Sequence, residues 1–528
     1  MSTLSIVNGP QFVIPYRPDH GGVDFLGLRQ VNVNMMAGVL PGINNVTWWL
    51  RPFSLVSWIY WKFFYLAGEA GMTEPTGEQL RIWKEKVEVL FTWGHKLDGW
   101  QGLPGISFNP PGPGAASLSF LAWGRTALNT SLMAAVQYGP AAKTLDGLGF
   151  LEPGLGPFFK ACGEGQHLAQ ALDFCVSDLD VYGLLSSLEP CSATPEQAGA
   201  LFQGWSVGNP SRKEKEAFRR AFFLAPTVGH DSRIGRRSTT VQLILDLLGA
   251  SDRPLTERDV RAGLFVGRSR TVEKRNERED LKTGWFRWQI LQMRQLQRLA
   301  LEALLSWFEV RLSLHDDKST EQITGAAMNI VTSAPNIFPL RQTVAGCRLA
   351  FESECPDTAT FLALSESLAL WSPFALMDTI QASVRQQDDA IVPYSLRAVF
   401  ICTRFTDLML GVKIVRPELR EGTAERMSLT FLRDTIDRCG GLVLVEFTRF
   451  LFENLILSQH FSVAARRFDG ETQRLRISIE EEGLAFFADK PLVPFVTPDR
   501  LATALSLMAD CGLVRWDDSA NGYTTRPA

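Results

Sequence analysis

No stretch of this 528-residue chain reads Gly-x-x-x-x-Gly-Lys-Ser/Thr, so a P-loop nucleotide site is excluded. The six histidines (His20, His95, His167, His230, His315, His460) share no His-x-x-x-His spacing, and the eight cysteines form no Cys-x-x-Cys pair. A locally encoded zinc site is therefore excluded, and any metal would have to be gathered from distant segments. Unpaired cysteines, with no basic and apolar leader in MSTLSIVNGP, point to free thiols in a reducing cytoplasm. A charge excess is also lacking: 53 Lys and Arg stand against 57 Asp and Glu, a net of −4. With 45% apolar and 21% charged residues the chain is not disordered, and its 43 Gly and 28 Pro follow no fibrous period.

A membrane-length apolar run is missing too. The nearest approach, Thr47 to Leu66 (TWWLRPFSLVSWIYWKFFYL), is interrupted by Arg51 and Lys62, well short of the roughly 20 apolar residues a span needs. It reads as a buried aromatic helix capped by Thr47, and no membrane partner is expected.

What is present is helical periodicity. Thr76-Gly-Glu-Gln79 reads as a capping box ahead of Leu80, Trp83, Val87 and Leu90, and Thr194-Pro-Glu-Gln197 opens another helix. Helices are predicted over 158–172, 285–312, 361–371, 395–410 and 442–465, with a Gly- and Pro-rich loop over 99–114. At the end of the chain an alternating run over 474–479 is followed by Thr497-Pro-Asp-Arg500 capping a helix to Cys511. A strand at 513–516, a polar turn and a strand at 523–525 complete a winged-helix-like order with Leu501, Ala504, Leu505 and Met508 in its core. The expected fold is mainly α and multi-domain. It has an aromatic-rich helical part over 1–150, a helical middle over 151–430 with a basic segment at 211–298, and a C-terminal winged-helix-like α+β module over 431–528.

The balanced charge is unevenly spread. Residues 211–298 carry 20 bases and 11 acids (+9), leaving −13 on the other 440 residues. Arg219, Arg220, Arg233, Arg236, Arg237, Arg268, Arg270, Lys274 and Arg275 are the candidate nucleic-acid ligands, because phosphate backbones are bound by such cation clusters; Trp285 and Trp288 lie close by in the sequence. A subunit interface or a solvated helix face fits the same composition. From residue 455 onward there are eight bases and ten acids, a balance suited to protein rather than phosphate contact. No motif implies a catalytic residue, a metal or another cofactor. If the chain were a metal-dependent nuclease with dispersed ligands, His230, Asp231, His315, Asp316 and Asp317 would be the residues to test; Glu446 lacks the following lysine that such a site wants.

Gly27-Leu-Arg29, Leu40-Pro-Gly-Ile-Asn-Asn-Val-Thr47, then Arg51, Ser54, Trp58 and Trp61-Lys-Phe63, together with Leu457 to Phe468, resemble helical proteins encoded in bacterial phage-defence and DNA-modification loci. The resemblance covers about a fifth of the chain and carries no catalytic residues. It implies a biological setting, phage defence or DNA processing, and no mechanism; the role expected of the chain in that setting is a non-enzymatic adaptor or sensor subunit, with other subunits as partners and nucleic acid as a further candidate. Within it, Pro41-Gly42 and Asn44-Asn45 supply a turn with positive φ, and Arg51 is either a clamp on loop carbonyls or a ligand for a phosphate or partner.

Overall fold

Capping chemistry explains where the first helices begin. In this computed structural model residues 24–144, 146–223, 232–267, 279–413, 416–421, 427–468 and 475–525 are described, and they are 60% helix and 6% strand. After α1 (Arg29–Val39) and α2 (Arg51–Glu69), α3 (Gly77–Leu97) starts at the predicted box: Thr76 Oγ1 accepts the Gln79 N–H at 3.2 Å and Gln79 Oε1 accepts the Thr76 N–H at 2.8 Å. Its predicted stripe, Leu80, Trp83, Val87 and Leu90, is buried. Thr47 does not cap α2. Its hydroxyl donates to the Asn44 carbonyl, and the helix begins three residues beyond the predicted start, with the carboxylate of Asp510 accepting the Leu50 N–H at 2.8 Å.

By its internal contacts the chain forms two units, neither continuous in sequence: Met35–Trp288 with Pro498–Ala528, and Met1–Asn34 with Gln289–Thr497. In the larger unit α2 packs on α4 (Glu164–Val176), and α3 on α5 (Pro195–Trp205), which opens with the predicted Thr194–Gln197 box. Part of the helix expected over 158–172 is instead a strand, β2 (Phe159–Ala161), paired with β1 (Leu151–Pro153). Trp58, Trp83, Trp93 and Trp205 are wholly buried. Each removes about 200 Å² from water, worth on the order of 5 kcal/mol before ordering entropy is subtracted. Lys62 is buried with them; its ammonium lies 3.6 Å from Asp173 and over the rings of Tyr65 and Tyr182 at 4.5 and 5.2 Å. The same unit continues through α6 (Arg212–Phe222), α7 (Arg233–Ala250), α8 (Glu257–Val266) and the start of α9 (Glu279–Leu314).

The smaller unit is built on the rest of α9, which is buried nearly all round and carries buried polar side chains, among them Gln289, Arg294, Arg298, Glu302 and Glu309, between its apolar ones. Around it lie α10 (Thr320–Ser333), α11 (Val344–Glu354), α12 (Thr358–Ser367), α13 (Pro373–Gln386), α14 (Ile391–Met409) and α15 (Leu429–Arg438). The helix predicted over 442–465 is present as α16 (Leu444–Phe450), a π-helical turn (Leu451–Leu457) and α17 (Ser458–Arg466). A hairpin of β3 (Ile477–Glu480) and β4 (Gly483–Phe486) follows. Glu309 of α9 is fully buried. It receives Arg476 Nε and Nη2 at 2.6 and 2.8 Å and the Leu492 N–H at 2.6 Å, which pins the hairpin and the extended segment after it to the helix.

At the chain's end the predicted helix, strand, turn and strand are α18 (Leu501–Asp510), β5 (Arg515–Asp517) and β6 (Gly522–Thr524). Thr497 does not cap α18: the N-cap residue is Arg500, and Asp499 accepts the Leu501 N–H at 3.2 Å. The packing partners of α18 come from the basic middle segment. It packs on α8, α8 packs on α7, and Leu255 exchanges two backbone hydrogen bonds with Tyr523 at 2.9 and 2.8 Å, so the strand order is Leu255, β6, β5.

Breaking the buried pair in the smaller unit leaves one uncompensated charge. Glu309→Leu or Arg476→Met alone should lower stability by about 3–5 kcal/mol, and the double substitution should recover most of it. Urea midpoints for the four proteins check this; single variants within about 1 kcal/mol of the parent would show that the pin is not structural.

Candidate functional site

The arginines singled out as phosphate ligands are, where described, all engaged by partners within the chain, and Arg237 is buried. Arg237 is 1% exposed; its Nε and Nη2 donate to the carbonyls of Phe222 and Ala221 at 2.8 and 2.7 Å, and its Nη1 to Pro41 at 2.8 Å. It cannot reach a phosphate. Arg219 closes on the Cys511 carbonyl through Nη2 at 2.6 Å. Arg220 holds Glu164 bidentately at 2.7 and 2.8 Å, Arg233 pairs with Asp146 at 2.5 Å, and Arg236 lies beside Gly38 and is partnered as well. Of the expected patch, two half-exposed, ion-paired arginines face solvent (Arg220 and Arg233). Arg268, Arg270, Lys274 and Arg275 lie outside the described residues, as do His230 and Asp231. Trp288 is buried and so offers no stacking platform.

A physical pattern underlies these contacts. The last carbonyls of a helix have no intrahelical donor and carry the negative end of its dipole, and a guanidinium supplies several donors and a positive charge at once. Arg237 serves α6 and the turn after α1, Arg219 serves α18, and Arg500 donates to Leu40 at 3.0 Å. Arg51 does the same for α5. Its Nη1 and Nη2 donate to Gly204 and Asn209 at 2.7 and 2.5 Å, and its Nε lies 3.1 Å from Glu214, which makes it the carbonyl clamp and not the projecting ligand. Gly42 does adopt φ +87°, whereas Asn44 and Asn45 do not take a positive φ, and a Cβ at Gly42 would fall 2.5 Å from Arg237 Nη1.

The metal candidates are spent in a similar way. Asp317 pairs with Arg311 at 2.8 Å and Asp316 with Lys318 at 2.8 Å, and no group of three His, Cys, Asp or Glu side chains among the described residues is arranged to hold an ion. Glu446 is on a helix, as its surroundings predict. Gly204-Trp205-Ser206-Val207-Gly208 matches the Gly-x-Ser-x-Gly pattern of serine hydrolases, which sequence reasoning passed over. Its setting is wrong for a nucleophile elbow. Ser206 ends a helix instead of joining a strand to one, and the nearby His95 is committed: its Nδ1–H donates to the Phe91 carbonyl at 2.7 Å, and its Nε2 accepts the Val207 N–H at 3.0 Å.

One polar cluster gave no sequence signal beyond helical spacing. Asp407 of α14 accepts from Arg348 Nη2 and Arg433 Nε at 3.1 and 2.7 Å, and both arginines also reach Asp437. The four side chains form a closed ring of alternating charge joining α11, α14 and α15, beside a cleft of about 300 Å³.

Two predictions follow from these contacts. Arg237→Glu should unfold the larger unit, whereas Arg220→Glu, at the surface, should cost under about 1 kcal/mol; circular dichroism melts separate the two. His95, and His460 with its Nδ1 toward the Phe25 carbonyl and its Nε2 accepting the Arg476 N–H, are held neutral, burial pushing each pKa down to about 4. The unfolded chain takes up protons there that the folded one refuses. The stabilisation is therefore whole above pH 6.5 and fades as pH falls toward 4, by about 3 kcal/mol per histidine. His95→Gln with His460→Gln should flatten the loss between pH 6.5 and 4 in urea titrations.

No protein-family model, no curated protein and no solved structure matches this chain.

Proposed function

We propose that the protein is a non-enzymatic adaptor or sensor subunit of a bacterial anti-phage defence or DNA-processing assembly, and that its principal contacts are with other protein subunits. The biological setting comes from the resemblance of its N-terminal and near-C-terminal passages. The mode of contact is supported by one observation above others: the exposed side of α18 is covered by the protein's own chain. We read the order α7, Leu255, α8, α18, β5, β6, with Leu255 bridging to β6 and β6 pairing β5, as winged-helix-like with a long insertion between its second and third helices. A DNA-reading winged helix offers that third helix to the major groove. Here Ser506 Oγ donates to the Trp48 carbonyl at 2.7 Å and Asp510 holds the Leu50 N–H, while the wing carries Asp517 and Asp518 where phosphate contact wants bases.

Large apolar side chains stand exposed elsewhere on the larger unit, among them Leu155 at 90%, Leu121 at 89% and Phe174 at 67%, a surface chemistry suited to protein contact. Among the described residues no helix is long and apolar enough to cross a membrane. The nucleic-acid part of the reading now rests on Arg268, Arg270, Lys274 and Arg275.

Co-expression with the products of adjacent genes should give a stable complex that survives nuclease treatment. Charge reversal of Arg268, Arg270, Lys274 and Arg275 should weaken DNA or RNA binding and flatten its salt dependence in anisotropy titrations, and Arg220→Glu should not. Cleavage of DNA or RNA by the pure protein with Mg²⁺ or Mn²⁺, lost on Asp316→Ala, would overturn the adaptor reading in favour of a nuclease.

A further inference from the structure

The cleft beside the charged ring lies between α11 and α14 and is lined by Ala345, Arg348, Leu349, Glu352, Thr403 and Arg404, with Asp407 at one end and Phe351 and Phe400 behind. The two helices pass it in opposite directions: Arg348 meets Asp407 at one end, and Arg404 meets the carbonyls that follow α11 at the other. Its charges are matched unequally. Arg348 and Asp407 neutralise each other within the ring. Arg404 is 9% exposed and donates from Nε to the Cys355 carbonyl at 2.8 Å and from Nη2 to Pro356 at 2.6 Å; among the described residues it forms no ion pair, and its Nη1 is not used by either bond. The Cys355 thiol beside it supplies no counter-charge, since burial pushes its pKa up to about 11. Glu352, exposed on the α11 side, also forms no ion pair among the described residues and does not meet Arg404.

A guanidinium and a carboxylate that share a small cleft without touching are complementary to something placed between them. We propose that this cleft binds an amphoteric small molecule of the free amino-acid class, its carboxylate on Arg404, its ammonium on Glu352, and its apolar part against Leu349 and the Phe351–Phe400 wall. A nearly buried cation whose hydrogen bonds go to neutral partners, two carbonyls and the Cys355 thiol, and on which the exposed Asp357 carboxylate acts from nearby, gains from an anion that replaces water. The volume is at the lower end for ligand sites and admits a compact molecule, not a dinucleotide. The ring of Arg348, Asp407, Arg433 and Asp437 holds the far end of the cleft in shape. This inference is independent of whether the chain acts as an adaptor, and gives a sensor subunit something to sense.

Thermal melts and calorimetric titration of the full chain with L-phenylalanine, its deaminated counterpart 3-phenylpropanoate and its decarboxylated counterpart phenethylamine test it directly. L-phenylalanine should raise the melting temperature at millimolar concentration, 3-phenylpropanoate less, and phenethylamine not at all. Glu352→Gln should weaken L-phenylalanine binding roughly tenfold. Because Arg404 also clamps carbonyls and its removal risks the fold, the blocking variant is Leu349→Trp, at a rim position already 61% exposed, which should abolish binding without moving the unliganded melt. Absence of any shift with L-phenylalanine, or an equal shift in Leu349→Trp, would overturn the assignment.

Discussion

A buried guanidinium facing backbone carbonyls is the contact on which most of this fold depends. Helix ends are numerous in a chain that is mostly short helices, and every buried end leaves carbonyls that need donors. Arg51, Arg219, Arg237 and Arg500 meet that need in the larger unit, and Arg397 and Arg404 in the smaller one, where Arg397 joins the carbonyls of Leu370 and Ile337 at 2.6 and 3.0 Å and Arg294 holds the Met427 carbonyl ahead of α15. Each clamp ties segments far apart in sequence, so it acts as a long-range tether and a cap together. Lysine could not substitute, because a single ammonium lacks the planar fork that reaches two or three carbonyls at fixed angles.

The remaining buried polar groups obey the same accounting. His95 and His460 each bridge a carbonyl and an amide with one neutral ring, and Glu309 takes three donors. Glu88, also fully buried, accepts from Ser131 Oγ and the Leu132 N–H at 2.9 Å each, and burial raises its pKa. Such groups are expensive when unpaired and nearly neutral when fully paired, so they select one arrangement of the helices more than they add net stability.

How much of this was legible in the sequence depends on range. The Thr76 and Thr194 boxes, the buried stripe of α3, the irregular 99–114 loop and the long helix around Trp285 follow from neighbours within a few residues, and they stand where the pattern places them. The cap of α2 does not, because Asp510 arrives from 460 residues away. The division into two interleaved units was hidden for the same reason: no composition change marks Asn34–Met35 or Trp288–Gln289, both of which fall inside continuous helices. The Arg348–Asp407–Arg433–Asp437 ring was invisible because its members are ordinary charged residues at helical spacing, and only the fold brings them together.

Arg237 and Arg219 look like phosphate ligands in the sequence for a more general reason. A carbonyl at a helix end and a phosphate oxygen ask for the same donors, so a run of arginines is consistent with either until burial is known. Burial decides it for Arg237, which is 1% exposed, and the burial of such arginines has a consequence for the surface. The clamping arginines are partnered mainly by neutral carbonyls, so among the described residues ten Lys and Arg but only seven Asp and Glu are buried. Burial thus withdraws three more positive than negative charges from the surface of the described residues.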